Sequence, residues 1–246
     1  MIGRRRFLAA ATALTASACA PPPPLSRSAA PVGTATPTPS PSAATSRRLP
    51  QEVVHGSRSR PLVALTFHGA GAPRLAEQVL TTIEREEAHA TVLAVGTWLT
   101  PSIADRVAGA GHDLGNHTMH HLDISAMNAH DADREIRECA ARLHHLTGSI
   151  GSWFRPSASA HATPLVRALA TRAGYPTCLS YDVDSLDYTD PGAAAITSNI
   201  LHAVQPGSIV SLHLGHPDTL TALPRVLDGL RRRGLNTVTV SQLLAN

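Results

Sequence analysis

From residue 62 to residue 240 the chain alternates between short apolar runs and longer amphipathic stretches. The short runs, rich in Val, Leu and Ile, are typical of buried strands, and the longer stretches are typical of helices. Strict alternation of strand and helix predicts a parallel sheet. About seven such units in one domain predict an α/β fold, a single distorted or incomplete (β/α) barrel with about seven parallel strands.

The strands are predicted at residues 62–67, 90–95, 113–116, 153–155, 177–181, 209–213 and 237–240. The helices between them are predicted at residues 74–87, 101–110, 131–146, 164–173, 193–204 and 220–233. The first strand is followed by neither a GxGxxG sequence nor a phosphate-binding loop, so a nucleotide site is not expected.

The N-terminus has the pattern of a bacterial export signal. Arg4–Leu8 (RRRFL) is a twin-arginine pattern, and the apolar run at 8–18 is too short to span a bilayer. Small residues precede Cys19, as at a lipoprotein cleavage site, although Ala16 stands where leucine is usual. Residues 1–19 are therefore predicted to be a twin-arginine/lipoprotein-type signal segment with a lipid attached at Cys19. The alternative is a plain secretory leader that is cut nearby.

Residues 20–60 are rich in Pro, Ser, Thr and Ala and have little to bury, so we expect a disordered tether. Residues 61–246 are expected to form one folded domain. We expect an exported monomer, either held as a lipoprotein at the outer face of the bacterial cytoplasmic membrane or secreted. Contact with the membrane is expected only through the lipid anchor.

The excess of positive charge lies outside the predicted domain. Residues 1–60 contain eight arginines and one acid, Glu52, whereas residues 61–246 contain 13 arginines and 17 acids. The sequence pI of about 9.1 therefore gives no support for nucleic-acid binding by the domain. Only 3% of the residues are aromatic, which argues against a stacking platform for single strands.

Several unusual polar residues come at the ends of predicted strands. They are His68 after the first strand, His117 and His121 after the third, Arg155 in the fourth, Asp182, Asp184 and Asp187 after the fifth, and His213 in the sixth. In a parallel barrel these strand ends converge on one rim, where active sites lie. The sequence therefore predicts that these side chains share a site.

His117 and His121 stand four residues apart in the sequence GNHTMHH at 115–121. Two imidazoles at this spacing can face one point on a helical turn, and the segment is predicted to be the loop or helix after a strand. Neutral imidazole is the commonest protein ligand for a zinc-class metal. Because the chain has 14 histidines, a close pair also arises by chance, and the pair alone does not establish a metal site.

These polar motifs, in this order, resemble those of the polysaccharide deacetylase family (NodB-like, carbohydrate esterase family 4), over about residues 61–244. The matching segments are TFHGAG at 66–71, HTMHH at 117–121, RP at 155–156, DSLDY at 184–188 and LH at 212–213. The resemblance implies a distorted barrel and an enzyme that uses a divalent metal, here expected to be zinc. It also implies removal of acetyl groups from an acetylated polysaccharide or peptidoglycan.

The resemblance assigns His117 and His121 to the metal and His213 to the general acid that protonates the leaving group. The first family motif has Asp-Asp where this sequence has His68-Gly69, so the general base and one metal ligand are both replaced. We expect His68 to be a third metal ligand, because tight zinc sites use three protein groups. The alternatives are that His68 is the base or that it only lines the pocket of an inactive enzyme.

Arg155, which pairs with the base in the family, is expected here to bind a substrate carboxylate or to stabilise an oxyanion. His213 is expected to be oriented by a hydrogen bond to Asp187 or to Asp184. Cys139 and Cys178 are expected to be two separate buried thiols, although an exported protein could oxidise them to a disulfide.

Two functions are consistent with the sequence. The first, which we favour, is an exported metal-dependent hydrolase that removes acetyl groups from amide- or ester-linked acetylated glycans of the cell wall or extracellular polysaccharide. The second is a non-catalytic envelope protein that keeps the fold and binds a glycan or a partner. The missing carboxylates favour the second function, whereas the retained histidines and Arg155 favour the first.

Overall fold

The structure, a computed structural model, describes residues 49–245. The predicted signal segment at 1–19, including Cys19, and the predicted tether up to residue 48 lie outside the described residues. Within the described part of the chain, no helix is both long enough and apolar enough to cross a membrane.

Strands and helices alternate through most of the described chain. The strands are β1 Glu52–Val53, β2 Leu62–Gly69, β3 Thr91–Ala94, β4 Asp113–Asn116, β5 Cys178–Leu179, β6 Val183–Asp184, β7 Ile209–His213 and β8 Asn236–Val238. The helices are α1 Pro73–Arg85, α2 Pro101–Gly109, α3 Ala129–Thr147, α4 Pro164–Arg172, α5 Ala193–Ala203, α6 Pro217–Arg232 and α7 Val240–Leu244. Two short 3₁₀ turns lie at Ile124–Ala126 and Asp187–Thr189.

The strands form two sheets that are linked through Phe154. The main sheet has the order β4-β3-β2-β7-β6, and β8 pairs with the first residues of β2. Single-residue bridges join Phe154 to Asn116 of β4 and to Cys178 of β5, and β1 pairs with β5. Every ladder between the named strands is parallel, which confirms the predicted α/β fold. At Phe154 the two sheets are thus joined only by single-residue bridges and not by a regular ladder.

The central strand is β2, and its residues from Val63 to Phe67 are all buried. A parallel strand that is covered on both faces reads as a continuous apolar run rather than an alternating one. One large apolar cluster joins this strand to β3 and to residues of α1, α2 and α6. This packing fixes the carboxyl end of β2, where His68 lies.

The folded domain begins before residue 61, so the predicted boundary between tether and domain is wrong. Glu52 and Val53 form β1 and pair in register with Cys178 and Leu179. Val53 is buried, and the Glu52 carboxylate accepts a hydrogen bond of 2.7 Å from the Ala162 N–H. A strand of two residues is too short to show a periodic pattern in the sequence.

Two predicted strands also differ from the structure. Residues 153–155 form no regular strand and contribute only the bridges at Phe154. Val240 begins α7 instead of ending a strand, because Thr239 caps this helix. The Thr239 hydroxyl accepts the N–H of Gln242, and the Gln242 side chain accepts the N–H of Thr239. This reciprocal capping box stabilises a helix start at that position.

Cys139 and Cys178 are both buried and are not joined by a disulfide, as predicted. Burial raises the pKa of each thiol to about 12. Because the thiolate is the reactive form, neither cysteine is suited to nucleophilic or redox chemistry at neutral pH.

Candidate active site

The carboxyl ends of β2, β4 and β7 bring four predicted histidines together. His68 on β2 is in register with His213 on β7, and β4 ends at Asn116, directly before His117. The ring centroid of His68 lies 4.3 Å from that of His117 and 4.3 Å from that of His213. The rings of His117 and His121 are 4.9 Å apart. The sequence thus located the site at one rim, as parallel-barrel geometry requires.

Three of these imidazoles could hold one metal ion. One ring nitrogen from each of His68, His117 and His121 lies within 4.8 Å of the other two. The Nδ1 of His117 is 3.0 Å from the carbonyl oxygen of Arg155, so this nitrogen carries the proton and donates it. The His117 Nε2 is then an unprotonated, buried nitrogen without a hydrogen-bond partner among the described residues. Such an orphaned lone pair fits a metal ligand whose other nitrogen is fixed by a backbone carbonyl.

The electrostatics of the cluster keep its imidazoles neutral. Burial lowers the pKa of His68 and His117 well below the ordinary value, and in each case a neighbouring imidazole lowers it further. Burial and the nearby His213 also lower the pKa of His121. A neutral imidazole has the lone pair that metal binding needs, so these shifts favour a ligand role.

The histidine pair lies in a loop rather than on a helical turn. Thr118 and His121 have left-handed backbone conformations, with φ of 67° and 58°. The Thr118 hydroxyl accepts the N–H of His121 and donates to Ser157, at 3.2 and 3.0 Å. A reversal of the backbone, held by the hydroxyl of Thr118, brings the two histidines together, so the loop is found of the two alternatives that the sequence left open.

His213 is oriented by Asp187 and not by Asp184, which answers a question that the sequence left open. The His213 Nδ1 lies 2.6 Å from Asp187 Oδ1, and its backbone N–H donates to Oδ2 at 2.8 Å. Thr219 donates a further hydrogen bond to Oδ2 at 2.6 Å. Burial opposes ionisation of Asp187, but these hydrogen bonds hold its pKa below the ordinary value. The carboxylate of Asp184 instead accepts the N–H of Leu186.

Arg155 does not face the cavity, so the predicted contact with a substrate carboxylate or an oxyanion is wrong. Its side chain is 0% exposed. Its guanidinium donates to Thr66 Oγ1, to the carbonyls of Leu179 and Ser180, and to His68 Nε2. Burial lowers its pKa to about 9. Arg155 therefore fixes the position of the His68 ring through this hydrogen bond.

This contact bears on the role of His68. Arginine only donates hydrogen bonds, so the Nε2 of His68, 3.0 Å from Arg155 Nη1, must be the acceptor. A neutral His68 then carries its proton on Nδ1. Binding a metal through either nitrogen requires a shift of the ring or of that proton. His68 is thus held beside the other imidazoles but is not as free to ligate as His117.

The ring of Trp98 fills the space beside Gly69, the residue after His68, and no pattern in the sequence predicts this contact. A Cβ atom added to Gly69 would lie 2.5 Å from Trp98 Cζ3, far inside contact distance. The Trp98 indole N–H donates to the Gly71 carbonyl at 3.0 Å, which fixes the ring there. A carboxylate at position 69, as in the first family motif, does not fit unless Trp98 moves.

A cavity of about 520 Å³ opens onto the cluster. It is lined by His68, Ala70, His121, Pro156, Ala158, Ser159, Ala160, Tyr181, Asp184, Tyr188, Ser211, His213 and His216. His216 was not predicted to be a site residue; its Nδ1 lies 2.8 Å from Asp190, and its ring is 5.6 Å from that of His213. The only sequence signal was its position three residues after His213.

Three polar residues close to the motifs lie outside this cavity. His120 contacts Glu135, and His161 contacts Glu52. Asp182, which follows a predicted strand, accepts hydrogen bonds from Arg58 and from the backbone of β7. These groups stabilise the fold around the site rather than line it.

The sequence matches the model of the family described as polysaccharide deacetylase over residues 55–178. It is 31% identical over 189 residues to a peptidoglycan-N-acetylglucosamine deacetylase of Bacillus cereus, covering 74% of this chain and 88% of that protein. It is 32% identical over 215 residues to a chitooligosaccharide deacetylase of Bradyrhizobium sp., covering 77% of this chain and 92% of that protein. The chain therefore belongs to the polysaccharide deacetylase family, the NodB-like carbohydrate esterase family 4.

Solved structures share the fold at lower identity. A peptidoglycan N-acetylglucosamine deacetylase in complex with 4-naphthalen-1-yl-N-oxidanyl-benzamide superposes with a TM-score of 0.74 at 23% identity, over 79% of this chain and 92% of that chain. A family pseudoenzyme from Bacillus anthracis superposes with a TM-score of 0.75 at 20% identity, over 80% and 70%. The same fold is therefore found both in a deacetylase and in a pseudoenzyme.

Proposed function

We propose that this protein is an exported metal-dependent hydrolase that removes acetyl groups from amide- or ester-linked acetylated glycans. The observation that carries the proposal is the pairing of Asp187 with His213 directly beside the three-imidazole cluster, at one cavity. A scaffold protein has no need of a hydrogen-bonded acid and a cluster of neutral imidazoles in the same cavity.

The residues proposed to hold the metal are His117, His121 and His68, and zinc suits an all-imidazole set. A bound zinc ion supplies Lewis acidity toward a carbonyl oxygen and lowers the pKa of water. The fold contributes the tautomer of His117, because the Arg155 carbonyl holds the proton on Nδ1 and leaves Nε2 free. It also contributes neutral imidazoles, because burial lowers their pKa.

The proposed general acid is His213. Its Nδ1 is tied to Asp187, so Nε2 is the nitrogen that can give a proton to the departing amine or alcohol. Asp187 fixes the tautomer and the ring orientation, as buried carboxylates do for catalytic histidines. Arg155 is a positioning residue for His68. The apolar and aromatic wall of the cavity, including Tyr181 and Tyr188, suits the faces of sugar rings.

The proposed substrate class is an acetylated glycan such as peptidoglycan or a chitooligosaccharide. The support comes from the relatives, which are deacetylases of these polymers by name. The test is acetate release from N-acetylglucosamine oligomers and from peptidoglycan fragments by metal-stripped protein, before and after zinc is added. Acetate release that depends on zinc supports the proposal, and none from any of these glycans contradicts it.

We also propose that the protein is held outside the cytoplasmic membrane by a lipid on Cys19. The support is the twin-arginine pattern and the small residues before this cysteine. Cys19→Ser should abolish labelling by a fatty-acid analogue and release the protein from the membrane fraction. If the Cys19→Ser protein is labelled and retained as well as wild type, the anchor lies elsewhere.

A non-catalytic role is the second candidate function, and a specific observation favours it. His68 and Gly69 stand where the family has two carboxylates, so both the usual base and one usual ligand are absent. Trp98 also fills the space beside Gly69. A protein of this kind would bind an acetylated glycan without releasing acetate. Glycan binding measured by calorimetry, with no zinc-dependent turnover, would favour this function over the first.

A further inference from the structure

The histidine loop, residues 117–121, is anchored to one turn of α3 at both of its ends. Asn116 comes directly before the loop, and its side-chain amide donates to the Ile136 carbonyl at 2.9 Å. At the other end, His120 contacts the carboxylate of Glu135. Two consecutive residues of α3 thus hold the two residues that precede His117 and His121.

Both oxygens of the Glu135 carboxylate contact His120. One of its oxygens accepts the His120 backbone N–H at 2.8 Å, and the other faces His120 Nδ1 at 2.7 Å. Glu135 is only 3% exposed. A buried carboxylate is costly unless it is hydrogen-bonded, and an apolar residue would usually serve the stability of a helix better. The two bonds to one loop residue therefore point to a function in the loop rather than in α3.

The histidine loop needs such support because its backbone is strained. Thr118 and His121 have φ of 67° and 58°, in the left-handed region that residues other than glycine rarely adopt. Each such residue costs on the order of 1 kcal/mol or more and persists only where the surroundings enforce it. Fixing the backbone N–H of His120 enforces the conformation that turns His121 back toward His117.

We propose that Glu135 is a positioning residue that holds the histidine loop in its metal-binding conformation. It acts through His120, whose side chain is 48% exposed and lies outside the three-histidine cluster. The effect of Glu135 on metal binding rests on the proposed function, whereas its effect on the conformation of the histidine loop does not depend on that function. Removing the carboxylate therefore loosens the loop and weakens zinc binding together.

The test compares Glu135→Ala and Glu135→Gln with Glu138→Ala, a matched control that lies exposed on the same helix. Glu135→Ala should lower zinc affinity about tenfold, as loss of outer-sphere support usually does. It should also speed amide hydrogen exchange at His121, whose N–H is bonded to Thr118 and not to Glu135. Glu135→Gln keeps an acceptor for the His120 N–H and should recover part of both effects.

Two outcomes overturn the inference: a zinc affinity of Glu135→Ala equal to that of Glu138→Ala, or an unchanged exchange rate at His121. If wild-type protein binds no zinc, the proposed function loses its metal centre. The exchange rate at His121 then decides separately whether Glu135 holds the loop. Faster exchange supports the inference, and the control rate overturns it.

Discussion

The two sides of the candidate site are held in different ways. The β4/β7 side consists of His117, His121, His213 and Asp187, and the β2 side consists of His68, Gly69 and Trp98. On the β4/β7 side, the fold fixes the tautomers of His117 and His213 through a backbone carbonyl and a buried carboxylate. On the β2 side, an imidazole and an indole ring stand where the family has two carboxylates.

The difference shows that sequence motif and geometry agree on one side of the site only. The β4/β7 side has the family's residue types, and the structure places the rings of His117 and His121 together with the hydrogen-bonded pair of His213 and Asp187 beside them. The β2 side differs from the family motif, because Trp98 fills the space beside Gly69 and Arg155 donates a hydrogen bond to His68. We therefore expect substitutions on the β4/β7 side to have the largest effects on zinc binding and acetate release, and the β2 side to limit both.

The largest effect is expected on the β4/β7 side. His117→Ala or His121→Ala should abolish zinc binding and any zinc-dependent acetate release, because each removes one of the proposed ligands. Calorimetric titration of the metal-stripped variants measures the binding, and circular dichroism checks that they fold. His202→Ala, which changes an exposed residue of α5, is the control and should bind zinc like wild type. Wild-type affinity in both loop variants would remove the metal centre from this side.

A smaller loss is expected when the proposed acid is disturbed and the proposed metal ligands are left in place. Asp187→Asn should lower kcat by roughly 10²–10⁴-fold, the range associated with general acid–base catalysis, with little change in zinc affinity. Asp105→Asn, which changes an exposed carboxylate of α2 that does not line the cavity, is the control. An equal fall in kcat for both variants would show that Asp187 has no special role.

The same residue predicts a pH dependence of stability. Hydrogen bonds hold the pKa of Asp187 below its unfolded value of 3.8. A lowered carboxyl pKa stabilises the fold above the unfolded pKa, and this contribution is lost as the pH falls through the folded pKa. The difference in unfolding free energy between wild type and Asp187→Asn should therefore shrink below about pH 4. Urea titrations at several pH values measure it, and a constant difference would contradict the pKa direction.

The sequence could predict the β4/β7 side because its signals are local. His117 and His121 are close in the chain, and His213 ends an apolar strand, so strand periodicity alone places them on one rim. The contact between Trp98 and Gly69 joins residues far apart in sequence and has no pattern. The burial of Arg155 was also hidden, because charged residues are almost never fully buried and the sequence does not show the carbonyls that satisfy it.

The β2 side predicts a smaller effect, on stability. Gly69→Asp should destabilise the fold by roughly 1–3 kcal/mol, the usual cost of overpacking, because its Cβ meets Trp98. In a Trp98→Ala background the same substitution should cost less, because the ring that its Cβ meets is gone. Gly109→Asp is the control, since a Cβ at that position meets nothing within 4 Å. Thermal unfolding measures each variant against its own background, and an equal cost of Gly69→Asp in both backgrounds would show that Trp98 is not the obstacle.

This contact also bears on restoring the family pair. His68→Asp with Gly69→Asp supplies a base and a ligand, but Trp98 should prevent the second carboxylate from reaching its place. We expect the triple variant with Trp98→Ala to release acetate from a chitooligosaccharide faster than the double variant. Equal turnover of the two variants would mean that the indole ring does not limit the β2 side.

The central claim is that His68 completes one metal centre with His117 and His121, and zinc titration of His68→Ala tests it most directly. One zinc ion should bind per wild-type chain, and His68→Ala should lose affinity, though less than His117→Ala, because the hydrogen bond from Arg155 leaves His68 less free to ligate. If His68→Ala binds zinc as tightly as wild type, His68 is not a ligand, and the contact with Arg155 is its principal role.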